Sequence, residues 1–194
     1  MKTQSLINFI KKYSQKKNKL ILELDTTSLY KIINLIKKTY TKSSTVFICG
    51  NGGSASVANH WACDHGEGIK KNSKIKPRTI SLSSNIEIIT ATSNDFDFSK
   101  IFKNQLENLY NKNDLLICFS VSGNSKNIIE VLNYAKKKKI ESILFSGMNG
   151  GVAKTIATHH INFNSRNFGL VEDCFQSIMH IIAQNLYSKT NISF

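Results

Sequence analysis

Two hydrophobic rhythms divide the chain. Over residues 5–40, Leu20, Ile21, Leu24, Leu29, Ile32, Ile33 and Ile36 recur three and four apart, the period of a helix face. Beyond residue 40, short apolar runs rich in β-branched and aromatic residues take over. They are residues 45–49 (closed by Gly50), 79–82, 115–120, 142–145 and, more weakly, 160–163. Runs of this length and composition read as buried strands. Between them lie helix-like stretches at residues 54–65, 99–110, 124–139 and 152–158. A last amphipathic helix over residues 171–187 carries Ile178, Ile181, Ile182 and Leu186.

Strands alternating with helices predict βαβ units around a parallel sheet. The expected fold is α/β, a three-layer sandwich with a parallel, flavodoxin-like five-stranded sheet plus N-terminal helices. The chain reads as one domain, residues 1–194, divided into helices (1–40) and an α/β core (41–194). The first helices either pack on this core or pair with another subunit, and the pattern fits both. Ligands of such sheets bind beyond the carboxyl ends of the strands.

Two strand ends carry unusual chemistry. Gly50-Asn51-Gly52-Gly53-Ser54 follows the first strand, and Ser120-Val121-Ser122-Gly123-Asn124-Ser125 follows the third. Glycines let backbone amides approach an anion at a helix start, and the clustered hydroxyls suit a phosphate monoester. Neither loop is a nucleotide-binding fingerprint. Together they favour a phosphorylated ligand without a nucleotide.

Composition changes this picture little. Apolar residues are 41% and charged residues 20%, ordinary for a folded domain. The formal charge of +13 is spread over many short lysine runs with no aromatic interleaving, so a solvated basic surface is expected and no nucleic-acid partner. Cys49, Cys63, Cys118 and Cys174 form no CxxC pair and are expected as buried thiols of a reducing compartment. No stretch approaches a membrane span, and a cytoplasmic location without membrane association is expected.

Taken as a pair, the two loops resemble the signature of sugar isomerase (SIS) domains, and more narrowly its phosphoheptose isomerase branch. The similarity extends to His60-x-x-x-Asp64, Asn94-Asp95-Phe96, Gly147-x-x-Gly150-Gly151 and His180. It implies that Asn51, Gly52, Gly53, Ser54, Asn94 and Asp95 contact substrate. Ser120, Val121, Ser122 and Ser125 would hold the phosphate. It implies a homotetramer that converts D-sedoheptulose 7-phosphate to D-glycero-D-manno-heptose 7-phosphate for lipopolysaccharide or capsule. The base would be Asp64, where the family has Glu, and the acid His180. Glu172 stands where the family has Gln. A zinc or other divalent site of His60, Asp64, Glu172 and His180 is expected, with Glu172 sharing the base role and contacting substrate. Gly169 replaces an acidic substrate contact of many members. The other readings are isomerisation of another ketose phosphate and a non-catalytic adaptor that binds the replication initiator.

Periodicity adds a complication. Asp173, Gln176 and His180 share a helix face, whereas Glu172 lies about 80° around from His180. The eight-residue spacing of the family favours Glu172, with Asp173 in reserve. His65 is placed at the rim of the site, and His159 and His160 are read as structural.

Overall fold

The computed structural model describes residues 3–187. Helices α1 (Thr3–Leu22) and α2 (Thr26–Thr41) precede β1 (Thr45–Gly50). Next come α3 (Gly53–Cys63), a π-helical continuation (Asp64–Ile69) and the short α4 (Lys70–Asn72). Then follow β2 (Arg78–Ser81), α5 (Ile86–Asp95), α6 (Ile101–Leu109), β3 (Leu115–Ser120) and α7 (Lys126–Lys138). The chain continues with β4 (Glu141–Ser146), β5 (His159–Asn162) and α8 (Phe168–Asn185). All pairings are parallel, in the order β2-β1-β3-β4-β5.

Side-chain alternation explains the sandwich. Val46 and Ile48 of β1, and Leu115, Ile117 and Phe119 of β3, face a core shared with α2, α3 and α8. Phe47, Cys49, Leu116 and Cys118 point the other way, into a core shared with α6 and α7. Both faces of the central strands are therefore buried, which is why they read as solid apolar runs rather than alternating ones. The strand order reverses between β1 and β3, so the crevice outside their carboxyl ends is the topological switch point.

The N-terminal helices are two, as the Asp25 side chain accepts from the Thr27 and Ser28 amides and starts α2 afresh. Several expectations need correction. Residues 152–158 supply only a 3₁₀ turn, Ala153–Thr155. Helix α5 was not anticipated: its Ile- and Thr-rich sequence has low helix propensity, and the Asn85 cap helps to start it. Three cysteines are buried as expected, but Cys63 is exposed. No described residue of α1 is fully buried; Tyr13 ties it to α8 by donating to Asp173, 2.9 Å away, while Leu6, Ile7, Phe9 and Ile10 are exposed. Among the described residues, no helix is long and apolar enough to cross a membrane.

Candidate functional site

The two motif loops meet at the switch point. Asn51 and Asn127 exchange side-chain amide hydrogen bonds of 2.9 and 2.8 Å, clamping the β1 loop to the start of α7. Asn127 is buried, yet no pattern in the sequence singled it out. A cavity of about 280 Å³ opens beside this clamp. Asn51, Gly52, Gly53, Ser54, Ser120, Val121, Ser122, Ser125, Phe168 and Glu172 are among the residues lining it.

Helix starts differ in how they are capped. Asp25, Asn85 and Asn167 cap α2, α5 and α8 with their own side chains. Helices α3 and α7, which open at the switch point, have no side-chain cap bond: position 52 is glycine and the Ser125 hydroxyl does not bond its own helix. Helix-start amides and the Ser125 hydroxyl are therefore not engaged in side-chain capping, and such groups are suited to an anion. Gly123 holds the second loop in shape. Its φ is +65°, and a Cβ there would lie 1.9 Å from the Gly150 carbonyl oxygen. The Gly147–Gly151 turn thus buttresses the cradle from behind, reinforced by the Asn124 side chain accepting from the Val152 amide at 3.0 Å.

Helices α3 and α8 lie side by side and run in the same sense. Gly53 faces Glu172, His60 faces Gln176, and Asp64 faces His180. The sequence-predicted residues His60, Asp64 and His180 come together. Each offers one ligand atom, and these atoms all lie within 4.8 Å of one another. Asp64 bridges the two rings, with Oδ1 3.1 Å from His60 Nε2 and Oδ2 3.1 Å from His180 Nε2. The rings meet edge to face at 5.1 Å. Two imidazoles and a carboxylate around one point are a donor set that suits a divalent ion such as zinc. Tyr187 lies near this group, its hydroxyl pKa raised first by burial and then by the Asp64 charge.

Glu172 does not join the group. Its carboxylate packs against Gly53 in the cavity wall, where a Cβ on residue 53 would overlap it at 2.3–2.5 Å. Eight residues are about 12 Å of helix rise, so Glu172 sits more than two turns above His180. The reserve candidate Asp173 is engaged by Tyr13 instead. The residue that reaches His60 is Gln176, whose amide nitrogen contacts His60 Nδ1. Its four-residue spacing from His180 was the signal for it. Asn94 and Asp95 do not line the cavity; they are exposed at the end of α5, with Asn94 donating to Asp95 at 2.9 Å.

His65 also departs from expectation. It is fully buried rather than at the rim, because the chain leaves α3 through the π-helical turn and carries this ring inward. The ring stacks on Trp61 with centroids 4.1 Å apart. Its pKa is lowered to about 3, chiefly by burial, so it is neutral. One proton arrangement satisfies the whole cluster. Trp61 donates to the Tyr40 hydroxyl at 3.3 Å, and Tyr40 donates to His65 Nδ1 at 3.0 Å. His65 Nε2 then faces the Met179 carbonyl at 3.5 Å, tying the turn after Asp64 to the residue before His180. His159 and His160 keep structural contacts, the first with Glu141 and the second with the Ser146 hydroxyl.

Residues 8–147 match the SIS domain family. Phosphoheptose isomerase 1 of Campylobacter jejuni is 30% identical over 181 residues, covering 92% of this chain and 97% of that protein. The phosphoheptose isomerase of Helicobacter pylori is 32% identical over 155 residues, 80% of each chain. The solved phosphoheptose isomerase of Neisseria gonorrhoeae superposes with a TM-score of 0.86 at 21% identity, covering 96% of this chain and 98% of that one. That likeness speaks for the fold, whereas the family match and the sequence identities carry the relationship. On these grounds the chain belongs to the phosphoheptose isomerase family of SIS-domain enzymes.

Proposed function

We propose that this protein interconverts D-sedoheptulose 7-phosphate and D-glycero-D-manno-heptose 7-phosphate, feeding a heptose-containing surface polysaccharide. One observation carries the reading. The same two helices bear the cavity at their starts, at Gly53 and Glu172, and the His–Asp–His group further along. Along α8, Glu172 and His180 are separated by about 12 Å of helix rise, so the cavity and the His–Asp–His group lie within the span of one extended sugar phosphate and its enclosing side chains.

In this scheme Ser120, Ser122, Ser125 and the starts of α3 and α7 bind the phosphate, and Glu172 accepts hydrogen bonds from sugar hydroxyls. Asn94 and Asp95, outside the cavity of a single chain, are assigned to a site completed by another subunit. Isomerisation removes a proton from C1 of the ketose while O2 gains one; the enediol then takes a proton at C2 as O1 loses its own. Asp64 is the base at carbon and His180 the acid at oxygen, a division that uses one carboxylate and one imidazole within hydrogen-bond reach of each other. His60, Asp64 and His180 would hold zinc through one atom each; zinc would supply Lewis-acid polarisation of the carbonyl in place of the His180 proton, leaving Asp64 one free carboxylate oxygen as base. The open apolar face of α1 and the partly exposed site side chains support a homotetramer with sites covered by neighbouring subunits.

The test is incubation of the metal-supplemented protein with sedoheptulose 7-phosphate, following the aldose signals by NMR. Turnover that is lost in Asp64→Asn supports the scheme. A folded, metal-supplemented protein that leaves the ketose unchanged would overturn it. The shorter Asp64 and the absent acidic side chain at Gly169 favour one second reading, a different ketose phosphate as substrate. Fructose 6-phosphate and ribulose 5-phosphate run alongside would reveal it.

A further inference from the structure

Gln176 belongs to none of the motifs, yet its side chain is the group that meets the outer nitrogen of His60. A neutral imidazole donates from one nitrogen and accepts at the other, so what faces Nδ1 decides what Nε2 can do. With the amide NH₂ of Gln176 turned to Nδ1, that nitrogen accepts. The proton then sits on Nε2, pointing at Asp64 Oδ1 3.1 Å away. In that state the ring is hydrogen-bonded to the carboxylate and has no lone pair to give a metal.

Rotating the amide by half a turn presents its carbonyl oxygen to Nδ1. The proton must then reside on Nδ1, and the Nε2 lone pair faces Asp64 and His180. The two amide orientations have nearly the same shape, so the exchange costs little packing. An amide serves both states, whereas a carboxylate at this position accepts and never donates, and an alkyl group does neither. Glu172 is excluded from this role, being level with Gly53 rather than His60.

We infer that Gln176 is a positioning residue that selects the His60 tautomer, holding the Nε2–H form without metal and the ligand form with it. The inference rests on the reading of His60 as a metal ligand given above. It also predicts variants with opposite effects. Gln176→Glu locks Nδ1–H and prepares the ring for metal; Gln176→Leu leaves it unoriented. Outer hydrogen bonds of this kind carry about 10–100-fold in metal affinity.

The experiment uses the full chain, chelator-treated, with ¹⁵N-labelled histidine at mildly alkaline pH. Imidazole ¹⁵N shifts report the His60 tautomer, assigned by loss of its signals in His60→Asn, and calorimetry with zinc reports affinity. The wild type should show the Nε2–H form and switch to Nδ1–H on adding zinc. Gln176→Glu should show Nδ1–H before any metal and bind zinc at least as tightly as the wild type. Gln176→Leu should show mixed tautomers and bind zinc about tenfold more weakly or worse. The same tautomer in all three metal-free proteins would overturn the inference, as would equal zinc affinity in the wild type and Gln176→Leu. Because tautomer is read without substrate, a protein inactive on sugar phosphates but switching as described would sink the functional reading and leave this one standing.

Discussion

Replacing His65 by phenylalanine should make the protein less sensitive to mild acid, although it is less stable at neutral pH. The native ring has a pKa of about 3, lowered chiefly by its complete burial, whereas an unfolded histidine titrates near 6.5. Between those values only the unfolded chain takes up the proton. Stability from the neutral ring is therefore complete above about pH 6.5 and declines as pH falls toward 3. The slope is about 1.4 kcal/mol per pH unit, so roughly 2 kcal/mol is lost on going to pH 5. Phenylalanine keeps the face stacked on Trp61 but leaves the Tyr40 hydroxyl and the Met179 carbonyl without their partner, which costs about 1–3 kcal/mol at neutral pH. Urea unfolding of both proteins at fixed protomer concentration, from pH 7.5 to 5, gives the difference directly, and groups that titrate alike in both cancel. The wild-type advantage should shrink by about 2 kcal/mol across that range. A difference that stays constant with pH would show that the folded protein protonates this ring, and the burial argument would fail.

Other outcomes follow from the cradle and the site. Gly123→Ala places a Cβ on the Gly150 carbonyl at a positive φ, so it should cost more than about 1 kcal/mol and raise KM for the sugar phosphate. Ser125→Ala should leave the melting temperature nearly unchanged, since this side chain does not cap α7, while weakening phosphate binding measured by calorimetry. Asn167→Ala, which removes the cap of α8, should instead lower stability by about 1 kcal/mol. Asp64→Asn should reduce kcat by about 10²–10⁴-fold and weaken zinc binding in the same preparation.

Local patterning made much of this molecule legible. Five apolar runs became five strands within a residue or two; the three central ones were plainest, because a strand buried on both faces must be apolar throughout, while the edge strands β2 and β5 are only partly buried. The two small-residue loops were visible because glycine and serine at a strand-to-helix turn are unusual, and their ends converge simply because β1 and β3 are neighbours. His60 and Asp64 share a helix face by their four-residue spacing alone. The helical pattern ran on to residue 65, whereas α3 ends at Cys63, since nothing in the sequence between Cys63 and Ile69 announces a π-helical turn.

The sequence by itself thus determined the fold class, the two small-residue loops that meet at the switch point and the His60, Asp64 and His180 that come together. Tertiary structure decided which side chain of α8 reaches which side chain of α3. Helical periodicity reports direction around one axis, but the level at which two helices pack is set by the whole core beneath them. That level puts Glu172 against Gly53, brings Gln176 to His60 and seals His65 inside, and no local spacing encodes it.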